Sequence, residues 1–177
     1  EAAEAALQNL LTQYEMVMRQ KQDIEQLMQE LLIKVPSASK LVDIKGMGMV
    51  AAAVIVSEIG DISRFNDPRQ IQKMAGLSLR ENSSGKHKGK TRISKRGRRR
   101  LREGLFRAMI TMLATNSEFR QLHQRNLSRE QNPLNKMESI VALCGKLIRV
   151  IFAILTKGND YDADRMLNDM KRSMKAA

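Results

Sequence analysis

The sequence is poor in several residue types, and each shortage narrows what the chain can be. Tryptophan is absent, and aromatic residues make up 3% of the 177 residues. The single cysteine, Cys144, excludes an internal disulfide and is typical of a reducing compartment. Three widely spaced prolines leave long stretches free to form helices, and we expect no apolar run to approach the length of a membrane span. Because Leu, Met, Ala, Lys, Arg, Glu and Gln are abundant, the composition predicts an all-α fold.

Groups that catalyse reactions or hold metals are also scarce. The two histidines, His87 and His123, lie far apart, and neither has a neighbour at the spacing of a zinc site. We interpret His87 as a phosphate contact, and we expect Glu58 and Asp61 to have no metal-binding or acid–base role. No phosphate-loop or dinucleotide-binding motif occurs. The sequence therefore predicts no metal site and does not contain a complete hydrolase or nuclease active site.

Positive charge, in contrast, is abundant and clustered. The formal net charge is +12, and the isoelectric point is about 10.2. Residues 80–102 hold eleven lysines and arginines against one acid, Glu81, and so carry +10 of that charge. A cluster of this kind favours nucleic acid over an acidic membrane, because the charge is not spread along one amphipathic helix. The residues predicted to contact nucleic acid in this cluster are Lys86, Lys88, Lys90, Arg92, Lys95, Arg96, Arg98 and Arg99.

A pair of serines followed by a glycine, Ser83, Ser84 and Gly85, lies inside this basic segment. Cations around a hydroxyl pair favour a bound polyphosphate and the alkoxide form of a serine that acts as a nucleophile. Alternatively, the loop only holds nucleic acid, and its serines are turn residues. Because a Ser-Ser-Gly triplet is common, local sequence alone favours this second interpretation.

Residues 1–36 are predicted to form a long helix that dimerises as a coiled coil. Lys21 is the single charged residue on its seam, where it lowers stability but can fix the register or the partner. A helix of this length extends roughly 50 Å, which is too long to lie across a small domain. It therefore either pairs with further copies of the chain, as a homodimer or higher homo-oligomer, or packs on its own domain. The seam follows alternating steps of three and four residues, and its apolar members are Leu7, Leu10, Tyr14, Val17, Ile24, Met28, Leu31 and Val35.

A glycine-rich turn lies within residues 41–60. Gly46 and Gly48 flank Met47, and an alanine-rich helix is expected from there to residue 59, so the segment resembles a helix-hairpin-helix. In that motif, glycine permits positive φ and the close approach of a phosphate, which the free N–H groups of the second helix then face. An ordinary turn between two helices fits equally well. Lys45, beside the turn, favours DNA binding by Lys45, Gly46 and Gly48.

The rest of residues 37–160 is predicted to form one compact helical domain. A helix begins at Asp67 and Pro68 and stops at Gly76, and residues 77–97 form a basic loop that permits a short β-hairpin. Helices follow over residues 98–115, 118–126 and 134–157, and Arg102 is expected to extend the basic surface on the first of them. The last is the expected centre of the core, with Cys144 buried in it. Residues 161–177 are predicted to be a detachable amphipathic tail.

Three blocks of the chain together resemble one family of transposases. They are DIKGMGMVAAAVIVSEIGDISRF, KMAGLSLRENSSGKHKGKTRISKRGRRRLREGLFRAM and KLIRVIFAILTKGNDYD, and they cover about residues 41–163. The family is that of the insertion-sequence transposases with an N-terminal DEDD, RuvC-like domain, which are related to Piv-type DNA invertases and include bridge-RNA-guided recombinases. The resemblance is specific, since three separated blocks agree in order and spacing. Leu79, where the family often has proline, and a short loop after Gly85 depart from its pattern.

The resemblance implies a function for the serine pair. It places the recombination nucleophile immediately before the glycine of the loop, at Ser84, with Ser83 as an adjacent competitor. It also implies that carboxylates of the DEDD domain hold a divalent metal, Mg²⁺, beside this serine. Those carboxylates are not in this chain, which begins at Glu1 and is expected to be part of a longer protein, to hold no cofactor and to be inactive alone. The implied partners are DNA, a structured guide RNA and further copies of the chain, at the nucleoid in a prokaryotic cytoplasm.

Two other classes of function fit parts of the sequence. A non-catalytic dimeric module would join the coiled coil to a helix-hairpin-helix that only binds DNA or guide RNA. An RNA-binding structural protein would account for the charge but not for the serine loop. Covalent trapping of DNA distinguishes the recombinase from both alternatives, and we predict the recombinase.

Overall fold

The computed structural model describes residues 1–80, 83–84, 87–88, 91–164 and 166–167. These residues form six α-helices and four two-residue strands, so the predicted all-α fold is confirmed. The helices are α1 (Ala2–Ile33), α2 (Met49–Ile59), α3 (Pro68–Met74), α4 (Arg99–Thr115), α5 (Ser117–Ser128) and α6 (Lys136–Lys157). The strands are β1 (Leu79–Arg80), β2 (Ser83–Ser84), β3 (His87–Lys88) and β4 (Arg92–Ile93).

The long first helix, α1, is formed as predicted but exposes most of its apolar seam. Leu10 is 62% exposed and Ile24 is 59% exposed, whereas Leu32 in the last turn is 5% exposed and joins the core. Pro36 follows the helix closely and cannot continue it. No described residue covers the seam through its first two dozen residues, so packing on its own domain involves mainly the last turns of α1. The coiled coil itself stays a prediction.

The segment between α1 and α2 differs from the predicted helix-hairpin-helix. Before the glycine turn it forms only a three-residue 3₁₀ helix, Ser39–Leu41. Its apolar residues point into the core, since Ile44 is 0% exposed and Met47 is 3% exposed. A single 3₁₀ turn is shorter than the first helix of that motif, so the helix-hairpin-helix is not confirmed.

The helices α2 and α4 pack against each other in antiparallel directions. The start of α4 lies beside the end of α2, where the Arg98 guanidinium donates to the Glu58 carbonyl at 2.7 Å. Farther along α4, a Cβ at Gly104 would lie 3.2 Å from Cγ1 of Val54. Glycine at this position therefore lets the two helices approach closely.

The centre of the core is α6, as predicted. Its start is fixed by a capping box, in which Asn135 accepts from the N–H of Glu138 and the Glu138 carboxylate accepts from the N–H of Asn135. Its end is marked by Gly158 at φ 64°. Cys144 is 1% exposed, which confirms that it is a buried apolar residue.

Helix α6 is also long and apolar enough to cross a membrane by length and composition. It has 22 residues, and its most apolar window has a mean hydropathy of 2.0. This corrects the expectation that no apolar run approaches the length of a membrane span. However, 56% of that window is buried inside the domain. Burial in a protein core accounts for an apolar helix equally well, because both environments exclude water from its side chains.

The first part of the predicted tail is packed rather than detached. Met166 is 4% exposed, and its sulfur accepts a hydrogen bond from the Tyr161 hydroxyl at 3.5 Å. Just before it, the Lys40 ammonium donates to the Gly158 carbonyl and pairs with the Asp160 carboxylate, each at 2.7 Å. These contacts correct the prediction for residues 161–164, 166 and 167, whereas residues 165 and 168–177 lie outside the described residues.

Candidate nucleic-acid interface

The basic loop forms a short antiparallel hairpin. At its base β1 pairs with β4, with Leu79 opposite Ile93. Farther out β2 pairs with β3, with Ser84 opposite His87. Ser84 is therefore in the outer ladder, five residues after Leu79, a separation that an extended chain spans in at most about 18 Å.

The two ladders of the hairpin do not share one register. Two residues separate Arg80 from Ser83, whereas three separate Lys88 from Arg92 on the returning side. The hairpin therefore carries one more residue on its second side. Of the predicted contacts, Lys86 and Lys90 lie outside the described residues, and Lys88 pairs with Ser83 in the outer ladder. Nucleic-acid binding by all of the predicted contacts stays a prediction.

The base of the hairpin is attached to the end of α3. The N–H of Lys95 donates to the Gly76 carbonyl at 2.9 Å, and the N–H of Arg98 donates to the Met74 carbonyl at 2.7 Å. Lys95 itself has a positive φ of 54°, which is uncommon for a residue with a side chain. The returning side of the hairpin is thus held against α3 just before α4 begins.

Two glycines make this attachment sterically feasible. Gly97 has φ 141°, and a Cβ there would lie 2.2 Å from the Met74 carbonyl oxygen. Gly76 has φ 71°, and a Cβ there would lie 2.8 Å from the Arg96 carbonyl oxygen. The sequence showed a glycine at each end of the basic loop, but it gave no sign that the two ends touch. Sequence reasoning therefore missed this joint.

Two arginines that the sequence assigned to the basic surface bind backbone carbonyls of the domain. Arg98 donates to the Glu58 carbonyl at 2.7 Å and lies 3.7 Å from its carboxylate. Arg102 donates to the carbonyls of Ala75, at 2.9 Å, and Lys95, at 3.3 Å. Both guanidinium groups thereby satisfy carbonyls at the ends of α2 and α3. Arg102 stabilises this joint rather than extending the basic surface, which corrects the prediction, while Arg98 stays half-exposed.

The remaining described cations near the hairpin are exposed. They have no side-chain hydrogen bond or ion pair with any other residue that the structure describes. They are Arg80, Arg92, Lys95, Arg96, Arg99 and Arg100. Two of them stand in the first turn of α4, where positive charge opposes the helix dipole and a bound anion would offset this repulsion. The junction of the hairpin and α4 is therefore a concentrated positive surface.

The other predicted contacts, Lys45, Gly46 and Gly48, lie at the opposite end of α4. The Lys45 carbonyl accepts a hydrogen bond from the Asn116 side chain at 3.2 Å. A Cβ at Gly46 would lie 2.5 Å from the Thr115 hydroxyl oxygen. Because α4 has 17 residues, its two ends are about 25 Å apart. The structure therefore does not bring this turn together with the serine hairpin.

The two glycines of this turn have different reasons to be glycine. Gly46 has φ 91°, and a Cβ there would lie 2.8 Å from the Cα of Met112. Packing against α4 thus explains why residue 46 is a glycine. The sequence analysis explained the same glycine by the approach of a phosphate. Gly48 has open space around it and precedes the first turn of α2. Phosphate binding by Lys45, Gly46 and Gly48 stays a prediction.

Other titratable groups in the domain have structural roles. Burial raises the pKa of Cys144 to about 12, so its thiol stays protonated and is a poor nucleophile. The pKa of Asp61 is lowered by hydrogen bonds from the backbone N–H and the hydroxyl of Ser63, which it caps. His123 contacts the hydroxyl of Ser139 at 2.8 Å, and that serine is 0% exposed. Within the described ranges, no three His, Cys, Asp or Glu side chains gather as metal ligands would.

The region from the glycine turn through the hairpin to α5 matches a known family. Residues 38–124 match the family model described as Transposase IS116/IS110/IS902 family. The chain belongs to this transposase family. The matched range of the chain contains every predicted contact residue and both serines, whereas α6 follows it and all of α1 precedes it.

Relatives of this chain include both transposases and a gene-inverting protein. The transposase for insertion sequence element IS1111A of Coxiella burnetii is 32% identical over 121 residues, which cover 67% of this chain and 32% of the relative. A probable family 20 transposase of Pseudomonas aeruginosa is 30% identical over 69% of this chain and 36% of its own length. A pilin gene-inverting protein of Moraxella bovis is 30% identical over 71% and 38%, respectively. The chain thus spans about a third of the length of these relatives.

Proposed function

We propose that this chain is the part of a transposase that holds nucleic acid on its basic hairpin and supplies Ser84 as the nucleophile for DNA strand cleavage and exchange. The observation that carries the proposal is the position of Ser84 in the outer ladder of a hairpin whose base is bonded to α3 and surrounded by exposed cations. Because the attached end of the hairpin is fixed, the Ser84 hydroxyl would be positioned against a nucleic-acid strand that the cations hold.

The proposed chemistry exchanges one phosphoester bond for another. The Ser84 oxygen attacks a phosphodiester, so an oxygen–phosphorus bond to serine forms while the bond from phosphorus to one bridging oxygen breaks. The serine proton passes to a base, and the departing strand oxygen gains a proton. Attack by the hydroxyl of another strand then reverses these steps and frees the serine, which conserves the bond energy. Arg92, Arg96 and Arg99 would neutralise the charge that develops on the phosphate.

Activation of Ser84 is assigned to a group outside this chain. A neutral serine is a weak nucleophile, and the described residues gather no acidic cluster that could hold a metal. The family resemblance implies an acidic domain with bound Mg²⁺, which would supply a Lewis acid beside the serine. The chain alone should therefore bind nucleic acid without cutting it. The proposed partners are target DNA and a structured guide RNA, met at the nucleoid.

Substitution of the two adjacent serines tests the proposal. In the full-length protein that carries this chain, Ser84→Ala should abolish covalent protein–DNA adducts and recombination, while DNA binding stays near normal. The matched control, Ser83→Ala, should reduce recombination much less. Denaturing gels of trapped complexes and peptide mapping of the adduct measure the outcome. Wild-type recombination by Ser84→Ala, or an adduct on Ser83, would make the assignment wrong and leave a non-catalytic binding module as the better account.

We further propose that α1 joins two copies of the chain through its exposed seam. The seam residues Leu10 and Ile24 are 62% and 59% exposed, and apolar rows of this length are normally covered in solution. Such a row repeats with the period of a two-stranded coiled coil. Either direction of the two strands fits the seam.

Matched charge substitutions on α1 test this association. Leu10→Glu together with Ile24→Glu should convert a dimer into a monomer, because two carboxylates cannot be buried unpaired in the seam. The control, Thr12→Glu together with Gln26→Glu, adds the same charge on the opposite face and should stay dimeric. Light scattering with sedimentation velocity measures the mass of each variant. If the unmodified chain is itself a monomer at micromolar concentration, the seam has another use.

A further inference from the structure

An apolar cleft of about 320 Å³ opens beside the base of the hairpin. It lies between α4 and α6, and its floor includes Leu77 and Cys144, which are 3% and 1% exposed. Phe106 and Val141 form half-buried walls, and Met137 at the edge is 57% exposed. The cleft is thus open to solvent, carries an aromatic ring and has the volume of a small ligand site, since such sites span roughly 300 to 1,000 Å³.

The charged residues that line this cleft all come from the first turns of α4, and one of them, Arg102, is bonded to the Ala75 and Lys95 carbonyls. Arg99, an exposed cation in the first turn of α4, is part of the lining, and so is Glu103, one turn later. Glu103 is held in place by Arg107, whose guanidinium lies 2.8 Å from its carboxylate. The edge therefore offers a cation for an anionic group and, beside it, a carboxylate that can accept from an amino group.

The cleft is continuous with the proposed nucleic-acid surface. Ile93, which belongs to the base ladder of the hairpin, lines it, and Arg99 belongs to both the cleft and the exposed cation cluster. A strand whose phosphates contact the cations would therefore pass along the mouth of the cleft. The group that a nucleic acid could place there is a base, with its own phosphate near the arginine.

We propose that this cleft binds a single unpaired nucleobase of the nucleic acid held by the hairpin, which rests on the proposed nucleic-acid binding. The base would stack on Phe106, its phosphate would pair with Arg99, and its exocyclic amino group would donate to Glu103. An apolar peptide side chain fits the floor, but it leaves the cation at the mouth without a partner. A nucleotide meets both the apolar floor and the charged edge. The acceptor at Glu103 favours cytosine or adenine over thymine, which has no amino group.

Duplexes that differ by one extra base test the proposal. The intact chain should bind a duplex with one bulged cytosine about tenfold more tightly than the fully paired duplex, and a bulged thymine should gain less. Phe106→Leu should remove this preference while leaving affinity for the paired duplex unchanged. The control Phe152→Leu makes the same change to another half-buried phenylalanine, outside the cleft, and should keep the preference.

A second measurement follows binding in the chain with an unaltered cleft. The methyl resonance of Met137, labelled with ¹³C and assigned with Met137→Leu, should shift on adding the bulged duplex and stay unchanged with the paired one. Equal affinity for both duplexes together with an unshifted Met137 methyl would overturn the proposal, as would a bulge preference that survives in Phe106→Leu. Those results leave hairpin binding intact, whereas loss of all duplex binding at low salt would instead contradict the proposed function.

Discussion

At each end of α4 lies a glycine next to a basic residue, but the surroundings of the two glycines differ in structure. At the N-terminal end, Gly97 lets the hairpin return close to α3, and exposed arginines such as Arg96 surround the joint. At the C-terminal end, Gly46 is enclosed by α4, and the Lys45 backbone is held by Asn116. Only the first end combines several exposed cations with the serine hairpin.

This difference shows that a glycine beside a cation has two distinct structural uses. It can allow backbones to cross closely, as at Gly97 and Gly46, where a Cβ would meet Met74 or Thr115 within 2.5 Å. It can also leave a helix start open, as at Gly48, where no atom lies within 4 Å of that position. An open position leaves the most room for a phosphate, so the packing around each glycine bears on its function.

The largest expected effect comes from removing charge at the hairpin end. Replacing Arg92, Arg96 and Arg99 together with glutamine should weaken duplex binding about 100- to 1,000-fold near 0.1 M salt, because each lost phosphate contact removes about 0.9 from the slope of log K against log salt. For the intact chain we expect a slope of about −4 to −8, which corresponds to about five to nine contacts. Fluorescence anisotropy at several salt concentrations measures both quantities.

Charge removed elsewhere provides the controls for this prediction. The single substitution Lys45→Gln should change the slope of log K against log salt by no more than about 0.9. The triple variant Arg19→Gln, Lys34→Gln and Lys157→Gln removes exposed cations that lie outside the hairpin and α4. It should weaken binding by less than about tenfold. Equal losses in the two triple variants would show that only net charge matters. A slope near zero in the intact chain would contradict nucleic-acid binding itself.

A smaller effect is expected on stability, where alanine substitution should distinguish Gly46 from Gly48. Gly46→Ala should lower the free energy of unfolding by roughly 2 to 4 kcal/mol, because the new methyl group meets Met112 and Thr115 and φ is positive. Gly48→Ala should change it by less than about 1 kcal/mol, since its φ of −71° suits alanine and its surroundings are open. Urea unfolding measures both. A Gly46→Ala protein that folds with normal stability but loses DNA binding would restore the phosphate interpretation.

The last expected effect appears only in alkali, where titration of Cys144 and Tyr161 should lower the stability of the domain. Burial raises the pKa of Cys144 from 9.0 to about 12, and burial and the charge of Glu118 raise that of Tyr161 from 10.0 to about 12. Between the unfolded and the folded pKa of each group, the unfolded chain has lost that proton while the folded chain keeps it. The free energy of unfolding therefore falls as pH rises through this range. The cysteine contributes up to about 1.4 kcal/mol per pH unit, and the half-buried tyrosine contributes less.

Two substitutions assign this alkaline loss. Cys144→Ala should remove the part that begins near pH 9, and Tyr161→Phe should remove the part that begins near pH 10. Both are measured as the change in unfolding free energy between pH 7 and pH 11. If neither substitution flattens the profile, the decline comes from titration of the surface lysines.

Much of the fold could be predicted because its signals are local. The helix start at Asp67 and Pro68, the C-terminal glycine at Gly158 and the apolar periodicity of α6 each involve residues within a few positions of one another. The proposal of Ser84 rests on family resemblance, and the structure adds that Ser84 lies in the outer ladder of the hairpin. The cleft at Phe106 and the joint at Gly97 could not be predicted, since their walls come from distant segments.

By itself, therefore, the sequence determined the helices, their ends, the basic character of the loop and the buried place of Cys144, because caps and periodicity act over one or two turns. The tertiary structure alone decided which cations face solvent. Arg98 binds a carbonyl 40 residues away and Arg102 one 27 residues away, and no local pattern records such pairs. The same long-range packing put Lys45 about 25 Å from the hairpin, since α4 stands between them as a rigid helix.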